Sequence, residues 1–325
     1  MKKKLLITGA SGFLGYHLIE AALSENYEVF AGVRASSNTK HLDNNRVRVL
    51  PLNLSDIEST RAALAANDIN HIIHAAALTK AKQQKDYDFA NATLTKNLAE
   101  AAGPNLNKFV FISSLAALGP ARNGKPVAED DAPQPVTFYG RSKMLAESYL
   151  RAMPNLPYIV FRPTAVYGPR EKDLLVVVKS VLKGWETYIG GNEQKLSFVY
   201  AKDMAALAVK ALSADVSRRF YNVSDGNVYS RYAFADAIKK ASGVKTRKLQ
   251  LPLGLIKLAA ASMDKLYYFS EKTPLLNLDK VNELTAPDWS CSIERCKAEL
   301  GFVPGWDLER GMKDTLEWYK QERWI

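Results

Sequence analysis

Three residues carry groups that can move a proton or hold a reacting oxygen: Tyr139, Lys143 and Ser114. Tyr139 and Lys143 are four apart at the start of a predicted helix over 138–153, so both side chains fall on one face. A free phenol, with a pKa near about 10, is a poor base at neutral pH. An adjacent ammonium favours the phenolate and would bring Tyr139 towards useful proton transfer. Ser114 closes the apolar run 109–112, where a hydroxyl can steady an oxygen beside the phenol.

A second feature lies far upstream. Thr8-Gly9-Ala10-Ser11-Gly12-Phe13-Leu14-Gly15 follows a short apolar run and leads into a helical pattern over 16–26. A glycine-rich turn between strand and helix offers backbone N–H groups and a helix N-terminus to a diphosphate. The spacing is G-x-x-G-x-x-G. Gly9, Gly12 and Gly15 permit the tight turn and close approach, with Ser11, Phe13 and Leu14 between them.

The elements that must position these residues alternate. Strand patterns at 28–33, 46–50, 69–76, 109–112 and 158–163 are separated by helical patterns near 57–66, 87–102 and 138–153. That rhythm indicates βαβ units and a parallel sheet. The expected class is α/β, a Rossmann-like doubly wound parallel sheet with a smaller, interleaved C-terminal substrate-binding subdomain. The dinucleotide-binding domain is expected over 1–168, with 198–223 returning to it, and the substrate-binding subdomain over 169–197 and 224–325. In that second region 270–290 reads as polar and irregular, while 251–266 reads as an apolar helix broken by Gly254. Its core, Leu255 to Ala261, is too short to span a bilayer. It is expected to be buried over the ligand pocket, with an interfacial helix as the competing possibility.

With 325 residues, 47% of them hydrophobic and 24% charged, the chain suits a soluble globular protein with a sizeable core. The net charge of +10 comes without a long basic block, which argues for a lysine-rich surface rather than nucleic-acid binding. Cys291 and Cys296 have neither disulfide-framework nor zinc spacing, and no metal is expected. Without a signal pattern or a long apolar run, the cytoplasm is the expected compartment and no membrane span is expected.

Taken together, the motifs resemble the extended short-chain dehydrogenases/reductases, the NAD-dependent epimerase/dehydratase group. That group includes sugar-nucleotide epimerases and dehydratases, hydroxysteroid dehydrogenases and dihydroflavonol reductases. Besides the glycine turn, the resemblance rests on His74-Ala75-Ala76-Ala77, Asn91-x-x-x-Thr95-x-Asn97, Ser113-Ser114 and Tyr139-x-x-x-Lys143. It continues through Arg162-Pro163-Thr164-Ala165-Val166-Tyr167-Gly168-Pro169, Phe198-Val199-Tyr200-Ala201-Lys202-Asp203 and Glu299-Leu300-Gly301-Phe302-Val303-Pro304.

The resemblance implies that Tyr139 is the catalytic acid/base and that Lys143 lowers its pKa and binds the nicotinamide ribose. Ser114 would position the reacting oxygen. It places Ala75, Ala76 and Ala77 along the cofactor groove and Pro163, Thr164 and Val166 near the nicotinamide. It adds Gly9, Ser11, Gly12, Phe13, Leu14, Gly15, Arg34, Asn53, Leu54, Asn91 and Ser113 as cofactor contacts. After the second strand, an acidic residue would bind the adenosine ribose of NAD. Arg34 stands there instead and suits a 2′-phosphate, which favours NADP over NAD unless Arg34 merely stacks or faces solvent. Asn53 replaces the Asp that the family usually has near the adenine.

For the substrate, Leu115-Ala116 follows Ser114 where 4,6-dehydratases carry an Asp-Glu pair, so that elimination is not expected. Leu196 stands where many sugar-nucleotide enzymes have an Arg, leaving Lys195 as a point charge. The 251–261 stretch resembles the hydroxysteroid/flavonoid reductase branch. Trp185, Tyr188, Tyr267, Tyr268 and Phe269 are pocket candidates or plain packing, and His17 and His71 are packing residues. The expected function is an NAD(P)-dependent oxidoreductase interconverting a secondary alcohol and a carbonyl on a small organic substrate. The alternatives are a nucleotide-sugar epimerase with retained NAD and a non-catalytic dinucleotide-binding regulator. The intact Ser114, Tyr139 and Lys143 argue against the regulator. By resemblance a homodimer is expected.

Overall fold

The first strand, Lys4–Thr8, alternates its side chains: Leu5 and Ile7 enter one core and Leu6 another. It is the pivot of a seven-stranded sheet. The strand order is Arg219–Val223, Tyr158–Pro163, Lys108–Ile112, His71–His74, Lys4–Thr8, Glu28–Val33, Val47–Pro51. Every pairing is parallel. This is a computed structural model, and it describes residues 3–42, 46–267 and 277–325.

Helices cover both faces, as a parallel sheet requires. Phe13–Ser24 and Ala201–Lys210 bury Leu18, Ile19, Met204 and Ala208 on one side. Ile57–Ala66, Leu94–Ala101 and Phe138–Arg151 bury Leu64, Leu98, Ala146 and Leu150 on the other. The winding reverses at Lys4–Thr8, whose neighbours are Glu28–Val33 and His71–His74. Such a switch point opens a crevice at the carboxyl ends of the strands. Gly9 and Ala75 both emerge there.

A third core, with Tyr167, Phe198, Tyr200, Phe234, Leu308 and Met312, holds the helices Leu175–Leu182, Ala233–Ser242 and Leu308–Gln321 together. Beside it a parallel ribbon pairs Trp185–Ile189 with Arg247–Leu251. Two expectations change in this region. Part of the stretch expected to be irregular is the helix Leu278–Thr285, which Asn277 starts by accepting from the Lys280 N–H at 2.7 Å. Residues 270–276 lie outside the described residues.

The helix Leu253–Leu266 exists, but it is not buried: only Ala260 is fully inside. Leu255, Leu258 and Leu266 are 63%, 66% and 78% exposed. Apolar residues run almost all round this helix, so their count does not say which face is covered.

Candidate active site

The cradle begins where Thr8 ends its strand. Gly9 has φ +71°, and a Cβ there would lie 2.7 Å from the Ala76 nitrogen and 2.8 Å from the Ala75 oxygen. A Cβ on Gly15 would lie 2.1 Å from the Gly9 oxygen. Neither position can hold a larger residue without moving backbone. The Gly12 N–H donates to the Gly9 carbonyl at 2.9 Å. The helix that follows has no side-chain cap and no acidic residue in its first turn. Its first amides and the positive end of its dipole therefore remain for an anion. This donor set fits the diphosphate of a dinucleotide.

At the other end of the crevice stands the helix Phe138–Arg151. Thr137 caps it by accepting from the Gly140 N–H at 2.9 Å, and Asp279 accepts from the Phe138 N–H at 2.9 and 3.1 Å. A Cβ on Gly140 would come within 2.3 Å of the Ala116 carbonyl oxygen. The bare glycine lets the helix press against the turn Leu115–Ala117, which sets Tyr139 beside Ser114, whose Oγ accepts from the Ala116 N–H at 3.2 Å. Lys143 is buried and donates to the Ile112 carbonyl at 2.9 Å, its Nζ 5.9 Å from the centre of the Tyr139 ring.

Burial raises Tyr139 above its ordinary value, and the Glu283 carboxylate raises it further. Ser114 pulls it down. Engaged with Ile112, the lysine is itself brought down to about 7 by burial, against the pull of Glu147.

Beneath the site Glu147 is fully partnered. It accepts from Arg162 Nε at 2.9 Å, Arg162 Nη2 at 2.6 Å and Ser113 Oγ at 2.7 Å. Arg162 Nη1 donates to the Glu129 carbonyl at 3.0 Å. A buried pair this well satisfied is tolerated, whereas removing one partner would strand a charge.

A buried relay ties the cradle to the helix Phe138–Arg151. Thr95 Oγ1 donates to the Asn91 carbonyl at 2.6 Å, so it accepts from His74 Nε2 at 2.9 Å. His74 Nδ1 then accepts from Thr8 Oγ1 at 2.6 Å. Burial holds this histidine down to about 3, so the ring is neutral. Asn91 accepts from the Leu78 N–H at 2.7 Å and donates to the Leu78 carbonyl at 3.0 Å and Ser142 Oγ at 2.9 Å. Ser142 in turn donates to the Tyr139 carbonyl at 2.7 Å. Asn91 sits in the π-turn Asp88–Thr93, which interrupts the helix expected over 87–102.

Asn91 and Ser113 therefore spend their side chains on the walls of the groove, on Leu78, Ser142 and Glu147. Ala75 and Ala76 are half-buried and Ala77 exposed, as are Arg34 and Asn53. Arg34 makes no ion pair among the described residues. Asn53 Oδ1 accepts from the Ser55 N–H at 3.2 Å, and the Leu54 carbonyl accepts from Asn97 at 2.9 Å. Pro163 and Thr164 are buried and Val166 half-buried at the end of the sixth strand.

Beyond the sheet, Arg231 donates through Nη1 and Nη2 to the carbonyls of Ile189, Gly190 and Asn192, at 3.0, 3.3 and 2.6 Å, while its Nε is buried without a partner among the described residues. Leu196 is half-buried and Lys195 exposed. Of the aromatic candidates, Trp185 faces solvent and Tyr188 donates to Glu186 at 2.6 Å; Tyr268 and Phe269 lie outside the described residues. His17 and His71 are packed, His17 against the Pro169 carbonyl at 2.9 Å.

Sequence reasoning overlooked Gly140, Ser142, Glu147, Asp279 and Glu283. Glu147 was legible, four residues after Lys143 on the same helix face. Asp279 and Glu283 come from a segment with no periodic signal long enough to mark them.

The family model described as the NAD dependent epimerase/dehydratase family matches residues 5–224. A sterol-4-alpha-carboxylate 3-dehydrogenase, decarboxylating, of Dictyostelium discoideum is 30% identical, over 96% of this chain and 99% of its own. A UDP-glucose 4-epimerase of Vibrio cholerae is 28% identical, over 99% and 97%. Among solved structures, a UDP-glucose 4-epimerase from Thermotoga maritima with UDP-glucose superposes with TM-score 0.81 at 20% identity, covering 98% and 99%. With its glycine cradle in place and the model matched from the first strand to beyond the seventh, the chain belongs to the NAD dependent epimerase/dehydratase family and is an NAD(P)-dependent enzyme.

Proposed function

We propose that this enzyme interconverts a secondary alcohol and a carbonyl, and that Tyr139 takes and returns the hydroxyl proton. The observation that carries this reading is the tight packing of Gly140 on the Ala116 carbonyl, which sets Tyr139 beside the turn that Ser114 starts, two strands along the sheet from the glycine cradle, a span of about 10 Å. Gly9, Ser11, Gly12, Phe13, Leu14 and Gly15 would hold the diphosphate, with Ala75, Ala76 and Ala77 along the groove. Asn53 and Leu54 would lie at the adenine end, and Pro163, Thr164, Val166 and Lys143 at the nicotinamide end. The nicotinamide, when bound, accepts and returns hydride. Ser114 steadies the substrate oxygen. Tyr139, held protonated by burial, is poised as the acid; to serve as the base it needs the Lys143 charge turned towards it.

The family match and the two epimerases among its relatives favour a nucleotide-sugar epimerase that retains NAD, with 169–197 and 224–325 forming the sugar-nucleotide subsite. A second reading is net oxidoreduction of a less charged alcohol. It is favoured by Arg231, whose two terminal nitrogens are committed to backbone carbonyls, and by Leu196 in place of an arginine. NAD follows from the family description, whereas the exposed Arg34 favours NADP.

Purified enzyme should be assayed for retained dinucleotide and then offered nucleotide sugars and uncharged secondary alcohols. Epimer formed without release of reduced cofactor supports the first reading. Stoichiometric reduced cofactor supports the second. Neither product with any alcohol, despite dinucleotide binding, overturns both.

A further inference from the structure

We propose that the helix Leu253–Leu266 and the ribbon leading into it form a docking surface for an anionic lipid bilayer, on which the protein lies without spanning it. The helix has two unlike faces. Leu253, Ile256, Ala260, Met263 and Asp264 turn inward, half-buried or buried. Leu255, Leu258, Ala259, Ser262 and Leu266 fall within about 100° of arc on the opposite side, and all are exposed. An outward leucine face on a soluble helix is unusual unless something apolar covers it.

The ribbon continues this surface through Pro252. Trp185 and Leu249, 48% and 44% exposed, lie on the face that also carries Arg247. A tryptophan beside leucines and basic residues suits the boundary between headgroups and acyl chains.

Charge selects the occupant. Lys245, Arg247 and Lys265 border the face and form no ion pair among the described residues, whereas Lys248 turns to the other side of the ribbon, 3.9 Å from the Tyr232 ring centre. The one acidic residue in 245–267 is Asp264, and its carboxylate turns away to accept from the Leu278 N–H at 3.2 Å. Lysines on the flank of an apolar face keep their ammonium groups at the level of lipid phosphates while their stems cover apolar surface. In a two-fold dimer built on this face, the same cations would be set against one another. No helix among the described residues is long and apolar enough to cross a membrane, which agrees with a surface mode of binding.

The test is flotation of the full chain with vesicles of phosphatidylcholine alone and of phosphatidylcholine and phosphatidylserine in equal parts. Binding is expected to the anionic vesicles and to weaken as salt is raised. The combined variant L255S/L258S/L266S should lower partitioning about tenfold or more, as should R247E/K265E. These side chains point to solvent, so dinucleotide binding and thermal melting should hold as in the parent. Failure of the parent to float with anionic vesicles overturns the proposal. So does flotation that the combined serine variant leaves unchanged. Self-association that this variant abolishes, with no vesicle binding in the parent, would make the face a contact between copies and equally overturn it. None of these outcomes depends on which substrate reading is right.

Discussion

Replacing Gly140 with Ala adds one methyl group where the structure has no room for it. The new Cβ would stand 2.3 Å from the Ala116 carbonyl oxygen, and ordinary contact begins at 3.4 Å, so helix and turn must part by about an ångström. Forcing extra volume into a tight contact costs about 1–3 kcal/mol. In a chain of this size that lowers the melting temperature by only a few degrees. The catalytic consequence should be larger. The displaced turn is the one that Ser114 starts, and the displaced helix residue is the neighbour of Tyr139. A misplacement of about an ångström is worth on the order of a hundredfold in rate.

The assay compares kcat, dinucleotide affinity and melting temperature for the parent, Gly140→Ala, Tyr139→Phe and the double variant. Gly140→Ala should lose about a hundredfold in kcat with dinucleotide affinity changed only slightly. On the Tyr139→Phe background it should cost little more, because both changes act on one contact. If Gly140→Ala keeps full kcat, or its loss simply adds to that of Tyr139→Phe, the packing argument is refuted.

Three further outcomes follow from the same coordinates. Arg34→Ala should weaken NADP binding much more than NAD binding in calorimetric titrations; equal effects would remove Arg34 from the 2′-phosphate. His17 is held down to about 4 by burial, chiefly, and its unfolded value lies near 6.5. The unfolded chain therefore binds the extra proton first, and stability should fall as pH drops below 6.5, with the loss complete near 4, worth about 3 kcal/mol. His17→Gln, which still offers a donor to the Pro169 carbonyl, should reduce the slope of melting temperature against pH in that window, the remainder coming from His71 and His74, which burial also holds below 6.5; an unchanged slope would refute the assignment. Asn91→Leu should leave the Leu78 N–H and carbonyl unpaired at about 1–3 kcal/mol apiece. Its melting temperature should drop and kcat fall with it; a variant as stable as the parent would show that the Leu78 loop is held by other contacts.

Much of this architecture was legible because βαβ units announce themselves locally. Period-two strands followed by helical patterns place the sheet, and the glycine spacing places the switch point. The helix that carries Tyr139 and Lys143 was equally plain. What stayed hidden is set by contacts distant in sequence. The upward shift of Tyr139 comes first from its burial and then from Glu283, more than a hundred residues away. The commitment of Arg231 to the 189–192 backbone is likewise tertiary. For the helix Leu253–Leu266, nearly all-round apolarity gave no direction, and only packing shows that its leucines face outward.

The central claim is that the Tyr139 hydroxyl handles the proton while a dinucleotide lies over the glycine turn. The most direct measurement is a single turnover on enzyme loaded with NAD, following reduced-nicotinamide fluorescence and epimer formation with the best substrate found, in the parent and in Tyr139→Phe. The account predicts a rate loss of about a hundredfold to ten-thousandfold in the variant with NAD still bound. Equal rates in the two proteins would contradict it.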